Sequence, residues 1–135
     1  VIEMTRSKIN NRRQAFTTKV RWATGGGEHV FHVSIGTDPE TKQVCEVFYA
    51  DGQQYGTSLQ ALIQDACILI SLLLQHGATL PDIGRSLSTV PVLGVEVPGS
   101  IAGAIIDAMT SLAAELQILT EINNSYKLEP ICPSQ

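Results

Sequence analysis

Glu46–Leu62 reads EVFYADGQQYGTSLQAL. Its first residues, Glu46-Val47-Phe48-Tyr49, are rich in β-formers and predict a strand, and from Thr57 or Ser58 onward the pattern becomes helical. Between the two, Asp51-Gly52-Gln53-Gln54-Tyr55-Gly56 forms a turn bounded by two glycines. The apolar period therefore switches from two to about 3.6 at this point. A β-rich half precedes a helical half, which is the order of an α+β domain.

Upstream, QAFTTKVRWA (14–23) alternates, with Phe16, Thr18, Val20 and Trp22 on one face and Thr17, Lys19 and Arg21 on the other. TGGGE follows as a turn, and HVFHVSIG (29–36) resumes the alternation with Phe31, Val33 and Ile35 opposite Val30, His32 and Ser34. TDPETKQ (37–43) is a second turn, and VCEVFYA (44–50) is a third β-rich run. A three-stranded antiparallel β-meander is the expectation.

Downstream, Thr57 or Ser58 caps a helix whose apolar positions Leu59, Leu62, Ile63, Ala66, Leu69, Ile70, Leu73 and Leu74 recur every three or four residues. Ile68 and Leu72 extend the apolar surface nearly all round, so this helix is expected to be central, with Leu62, Leu69 and Leu73 inaccessible. Gly77 stops it, and LPDIGRSL (80–87) reads as a short helix with Pro81 in its first turn. STVPVLGVEVPGS (88–100) reads as a loop that packs down. A last helix is predicted from about Ile101 to Ile122, with Ile101, Ile105, Ala108, Met109, Leu112, Leu116 and Leu119 on one stripe.

A chain of 135 residues forms one domain with one core, and 44% apolar against 16% charged residues is the composition of a folding sequence. The organisation predicted is a basic arm at 1–13, a single α+β domain at 14–122 and a tail at 123–135. A net charge of −4 argues against a general nucleic-acid or anionic-membrane binder. The charge is uneven, however: Arg6, Lys8, Arg12, Arg13, Lys19 and Arg21 face a single acid, Glu3, in the first 21 positions. That arm either contacts something anionic or is a solvated tail. Cys45, Cys67 and Cys132 have no disulfide or zinc spacing, and Cys67 falls within the apolar helix as a small core hydrophobe. No metal and no cofactor is expected. The longest uncharged run, Ala66–Pro81, is interrupted by Gln75, His76 and Gly77; it is too short to span a bilayer, and no leader pattern opens the chain. A cytoplasmic protein without a membrane partner is the default.

The meander followed by EVFYADGQQYGTSLQALIQDACILISLLLQHGATLPDIGRSL resembles the TSCPD-type domain, the small C-terminal module of vitamin-B12-dependent (class II) ribonucleotide reductases. Glu46, Val47 and Phe48 match its strand, Gly52 and Gly56 its turn, and LISLLLQHG the close of its helix at Gly77. Where the family carries Thr-Ser-Cys-Pro-Asp, this chain has Val95-Glu96-Val97-Pro98-Gly99, keeping the proline without the cysteine. Where close relatives have a lysine after the first turn glycine, it has Gln53. The resemblance implies a stand-alone accessory or regulatory domain linked to deoxyribonucleotide synthesis, with a reductase large subunit as partner. It also implies that reduction itself needs a thiyl-radical cysteine, a redox-active cysteine pair and a large α/β barrel. The isolated chain is therefore expected not to reduce ribonucleotides.

The turn entering the helix offers free backbone N–H groups and a positive dipole end, and Gly52 and Gly56 permit close approach. Gly52, Gln53, Gly56, Thr57 and Ser58 are thus the candidates for binding a small anion or nucleotide. The alternative is a plain strand-to-helix connection whose glycines supply positive φ, since neither the P-loop nor the dinucleotide fingerprint is present. Arg12, Arg13, Arg21 and Glu46 are the candidates for a partner contact or, through the arm, for nucleic acid. Glu46 shares a strand face with Val44 and Phe48 and is placed to pair with Arg21 if their strands are neighbours. His76 would favour the helix C-terminal dipole when protonated. Self-association is expected, because three short strands cannot cover so much apolar helix surface.

Overall fold

The computed structural model describes residues 14–24, 27–51 and 57–128. Their elements run β1 (Gln14–Thr24), β2 (Gly27–Thr37), β3 (Val44–Tyr49), α1 (Ser58–Gln75), α2 (Leu80–Ser86), β4 (Thr89–Val92), β5 (Val95–Pro98) and α3 (Ile101–Leu128). The fold is α+β, with the antiparallel sheet β1-β2-β3 packed on the helices.

β1 and β2 pair along their whole length, from Gln14↔Thr37 to Thr24↔Gly27. This register puts Phe16, Thr18, Val20 and Trp22 on the side of Phe31, Val33 and Ile35, as the alternation predicts. β3 adds through Ile35↔Val47 and Val33↔Tyr49. The β2–β3 turn is held by Asp38, whose Oδ1 accepts from the Glu40 N–H at 2.8 Å, while Lys42 takes a positive φ of 62°.

Thr57 is the N-cap of α1, its side chain accepting from the Gln60 N–H at 3.1 Å. The helix closes in a Schellman motif: the Ala78 N–H reaches the Leu73 carbonyl, the Gly77 N–H reaches that of Leu74, and Gly77 has a φ of 100°. His76 caps the end structurally, its Nδ1 lying 2.7 Å from the Leu72 carbonyl.

The face that α1 buries differs from the expectation. Gln60, Ile63, Cys67, Ile70, Ser71 and Gln75 point inward, whereas Leu62, Leu69 and Leu73 are 61%, 60% and 46% exposed. The buried face is turned by about one residue step, and the reason is polar. Ser71 Oγ accepts from the Val47 N–H at 2.9 Å and donates to the Val47 carbonyl at 3.0 Å, and Gln75 Nε2 donates to the Cys45 carbonyl. α1 thereby covers the outer edge of β3, and a buried backbone edge must be satisfied.

α2 opens with Thr79 as N-cap and Pro81 in its first turn, and Asp82 pairs with Arg85 on its surface. Residues 88–100, expected as a packed loop, instead form the hairpin β4–β5. Leu93 and Gly94 both take positive φ, which is the geometry of a two-residue hairpin turn. Val90, Val92, Leu93 and Val95 are exposed, so the hairpin does not pack down.

α3 is capped by Ser100, whose side chain accepts from the Gly103 N–H, and runs on to Leu128, past Ile122. Its first turns supply Ile101, Ala104, Ile105, Ile106 and Met109 to the core, beside Val20, Phe31, Val33, Ile35 and Val47 from the sheet and Ile63, Cys67 and Ile70 from α1. Ile118, Leu119 and Ile122 are exposed. Contrary to the estimate from uncharged runs, Ser58–Gln75 and Ile101–Tyr126 are each long and apolar enough to cross a membrane. Both pack one side against the sheet.

Candidate functional site

The segment leaving β3 is tied to β2 by a two-point clamp. Asp51 accepts from the His32 backbone N–H through Oδ2 at 2.9 Å and meets His32 Nδ1 through Oδ1 at 3.0 Å. The Ala50 N–H donates to the His32 carbonyl beside it. A carboxylate oxygen accepts, so the ring contact is donated by His32 Nδ1–H. Both side chains are part-exposed, at 45% and 34%. The pair orients an imidazole beside the end of β3 and ties Asp51 to β2. Nearby, burial and secondarily the Asp51 charge raise the Tyr49 hydroxyl above its ordinary value, which keeps it neutral.

Of the turn candidates, Gly52, Gln53 and Gly56 lie outside the described residues. Thr57 and Ser58 are exposed at the start of α1, and Thr57 spends its side chain on the cap. Arg12 and Arg13 also lie outside the described residues. Arg21 is on the outward face of β1 and pairs with Glu28 across the hairpin at 2.8 Å. The expected Arg21–Glu46 pair does not form, because β2 separates β1 from β3. Nor is Glu46 a surface residue: it is 5% exposed and lies against Gly36, where a Cβ would stand 2.5 Å from its Oε1. The structure therefore does not bring Glu46 and Arg21 into one site.

What the outward face of the sheet does bring together is Lys19 opposite His32, Arg21 opposite Val30, and Ser34 opposite an exposed Phe48. The sequence reading passed over His32 and Asp51. The available signal was positional: a polar residue in the middle of an alternating strand, and an acid at the last residue before a glycine turn.

Cys67 is buried in the core, and burial pushes its thiol up to about 11. Cys45 is half-buried on β3 and donates weakly to the Gly36 carbonyl at 3.6 Å. Cys132 lies outside the described residues. Among the described residues no cluster of His, Cys, Asp and Glu has the geometry of a metal site. A cleft of about 710 Å³ opens where the β2–β3 turn, the end of α1 and α3 meet, with Lys42 and Gln117 at its rim and Leu74, Leu80 and Leu116 inside. A smaller groove of about 350 Å³ lies between β1 and α3.

The family model described as TSCPD domain matches residues 5–116. No curated protein and no solved structure matches the chain.

Proposed function

The chain belongs to the TSCPD domain family, and from that membership we propose that it is an accessory or regulatory domain of ribonucleoside-diphosphate reduction, acting by contact with a reductase large subunit. The match over residues 5–116 is the observation that carries this reading, since it spans the sheet, α1, α2, the hairpin and half of α3. The environments of the two described cysteines support a contact role over a chemical one. Cys67 is sealed between α1 and the sheet, and Cys45 is bonded to its neighbouring strand. The test is to mix the purified chain with the large ribonucleotide reductase subunit of its own organism and follow co-sedimentation. Complex formation that weakens in the double variant Arg12→Glu, Arg13→Glu, at unchanged melting temperature, is the expected result. Cobalamin-dependent ribonucleotide reduction by the chain alone, or the absence of any complex, would overturn the reading.

A second reading, nucleic-acid binding, is favoured by the outward sheet face. Lys19 and Arg21 supply charge there and the exposed Phe48 a surface on which a base can stack. Retention of single-stranded RNA or DNA that falls steeply with salt and is lost in Phe48→Ala would select it.

We also propose self-association through α1, whose exposed Leu62, Leu69 and Leu73 fall on one outward stripe, with Ile68 exposed to its side.

A further inference from the structure

The two edges of the three-stranded sheet are treated differently. The β3 edge is covered by α1, with Ser71 and Gln75 bonded to its backbone. β1 is the other edge, paired only with β2 among the described residues. Along it runs the groove of about 350 Å³, walled by Thr18–Arg21 and floored by α3. The floor is low because Ala104, Ala108 and Ser111 face the groove with short side chains.

We propose that this groove receives an extended segment of a partner protein, which adds to β1 as a fourth strand. A strand edge supplies a row of backbone donors and acceptors, and an added strand takes its specificity from side chains that alternate between two faces. Both faces carry charge here. On the α3 side, Asp107 and Glu115 flank Ala108 and Leu112. On the outward side, β1 presents Lys19, and Arg21 paired with Glu28. The complementary segment alternates accordingly: small apolar residues bracketed by lysine or arginine toward α3, and acidic residues outward. This charge pattern identifies the occupant as a heterologous strand. An antiparallel copy of β1 centred on Val20 would set Lys19 opposite Arg21, and like charges placed directly opposite oppose pairing.

The test uses the full chain and a fluorescein-labelled peptide, KEVEAEVEK, followed by anisotropy at low salt, with the scrambled peptide KKEEVVEEA as control. Saturable binding of the alternating peptide is expected, about tenfold tighter than the scramble. It should weaken by about tenfold in Ser111→Trp, which fills the groove, and in Asp107→Lys with Glu115→Lys, which inverts the floor charge. These are exposed positions, so the melting temperatures should not move, and the charge variant decides the matter if the tryptophan variant fails to fold. No saturation, equal binding of the scramble, or indifference to both variants would overturn the proposal. So would a shift of the chain alone from dimer to monomer in the groove variants, because it would assign the groove to a second copy.

Discussion

Ser71 of α1 holds both backbone groups of Val47 at the edge of β3, accepting from its N–H at 2.9 Å and donating to its carbonyl at 3.0 Å. One hydroxyl thus takes the place that a neighbouring strand would fill. This explains how a helix can lie along a strand edge without orphaning the backbone beneath it. It also explains why a serine sits in the middle of an otherwise leucine- and isoleucine-rich helix.

Ser71→Ala should therefore cost about 1–3 kcal/mol, the range for leaving buried donors and acceptors unmet, although the substitution removes only one atom and raises helix propensity. Chemical denaturation checks it. An unchanged midpoint would show that Ser71 does not hold the edge.

The rotation of α1 reverses the expected ranking of its core positions. Ile70→Ala should cost about 2–5 kcal/mol, because Ile70 is buried. Leu73→Ala should cost less than about 1.5 kcal/mol, because Leu73 is half exposed. Equal losses in the two variants would contradict the observed facing of the helix.

Gly36 is required by its neighbour rather than by its backbone conformation. A Cβ there would stand 2.5 Å from Glu46 Oε1 and 2.7 Å from its Cγ. Gly36→Ala is expected to destabilise by about 1–3 kcal/mol. Adding Glu46→Ala should recover part of that loss, so that the double variant is less damaged than the sum of the singles.

The Cys67 thiol should resist alkylation near pH 8 in the folded chain and react once the chain is unfolded. Burial raises it from 9.0 to about 11. The sign of the linked stability follows: the folded state holds its proton more tightly, so the contribution is complete below pH 9 and is lost as pH rises toward 11. Cys67→Ser should flatten that alkaline fall.

If α1 is the self-association face, Leu62→Lys with Leu69→Lys should shift sedimentation toward monomer without lowering the melting temperature, since both leucines face outward. A loss of stability instead would mean that the leucines serve the monomer's own core.

Much of this architecture is local and could be read along the chain. The alternation of Phe16, Thr18, Val20 and Trp22 is sufficient for a half-buried strand, and Thr57, Gly77 and Pro81 mark helix boundaries by their own hydrogen-bonding and φ preferences. The hairpin at 89–98 escaped because neither Leu93 nor the two prolines is a hairpin signal. Its turn geometry rests on a leucine held at positive φ. The His32–Asp51 clamp escaped because its members are 19 positions apart, and nothing local couples them.

The sequence by itself determined the order of the elements, their types and most of their ends, because period, caps and breakers act over a few residues. The facing of α1 was decided only by tertiary structure. A helix apolar nearly all round gives no preferred direction, and the choice fell to two polar side chains, Ser71 and Gln75, which could meet the backbone of a strand some 24 to 30 positions away. The placement of Glu46 was decided in the same way: its side chain lies against Gly36, a partner that only the β2–β3 register selects.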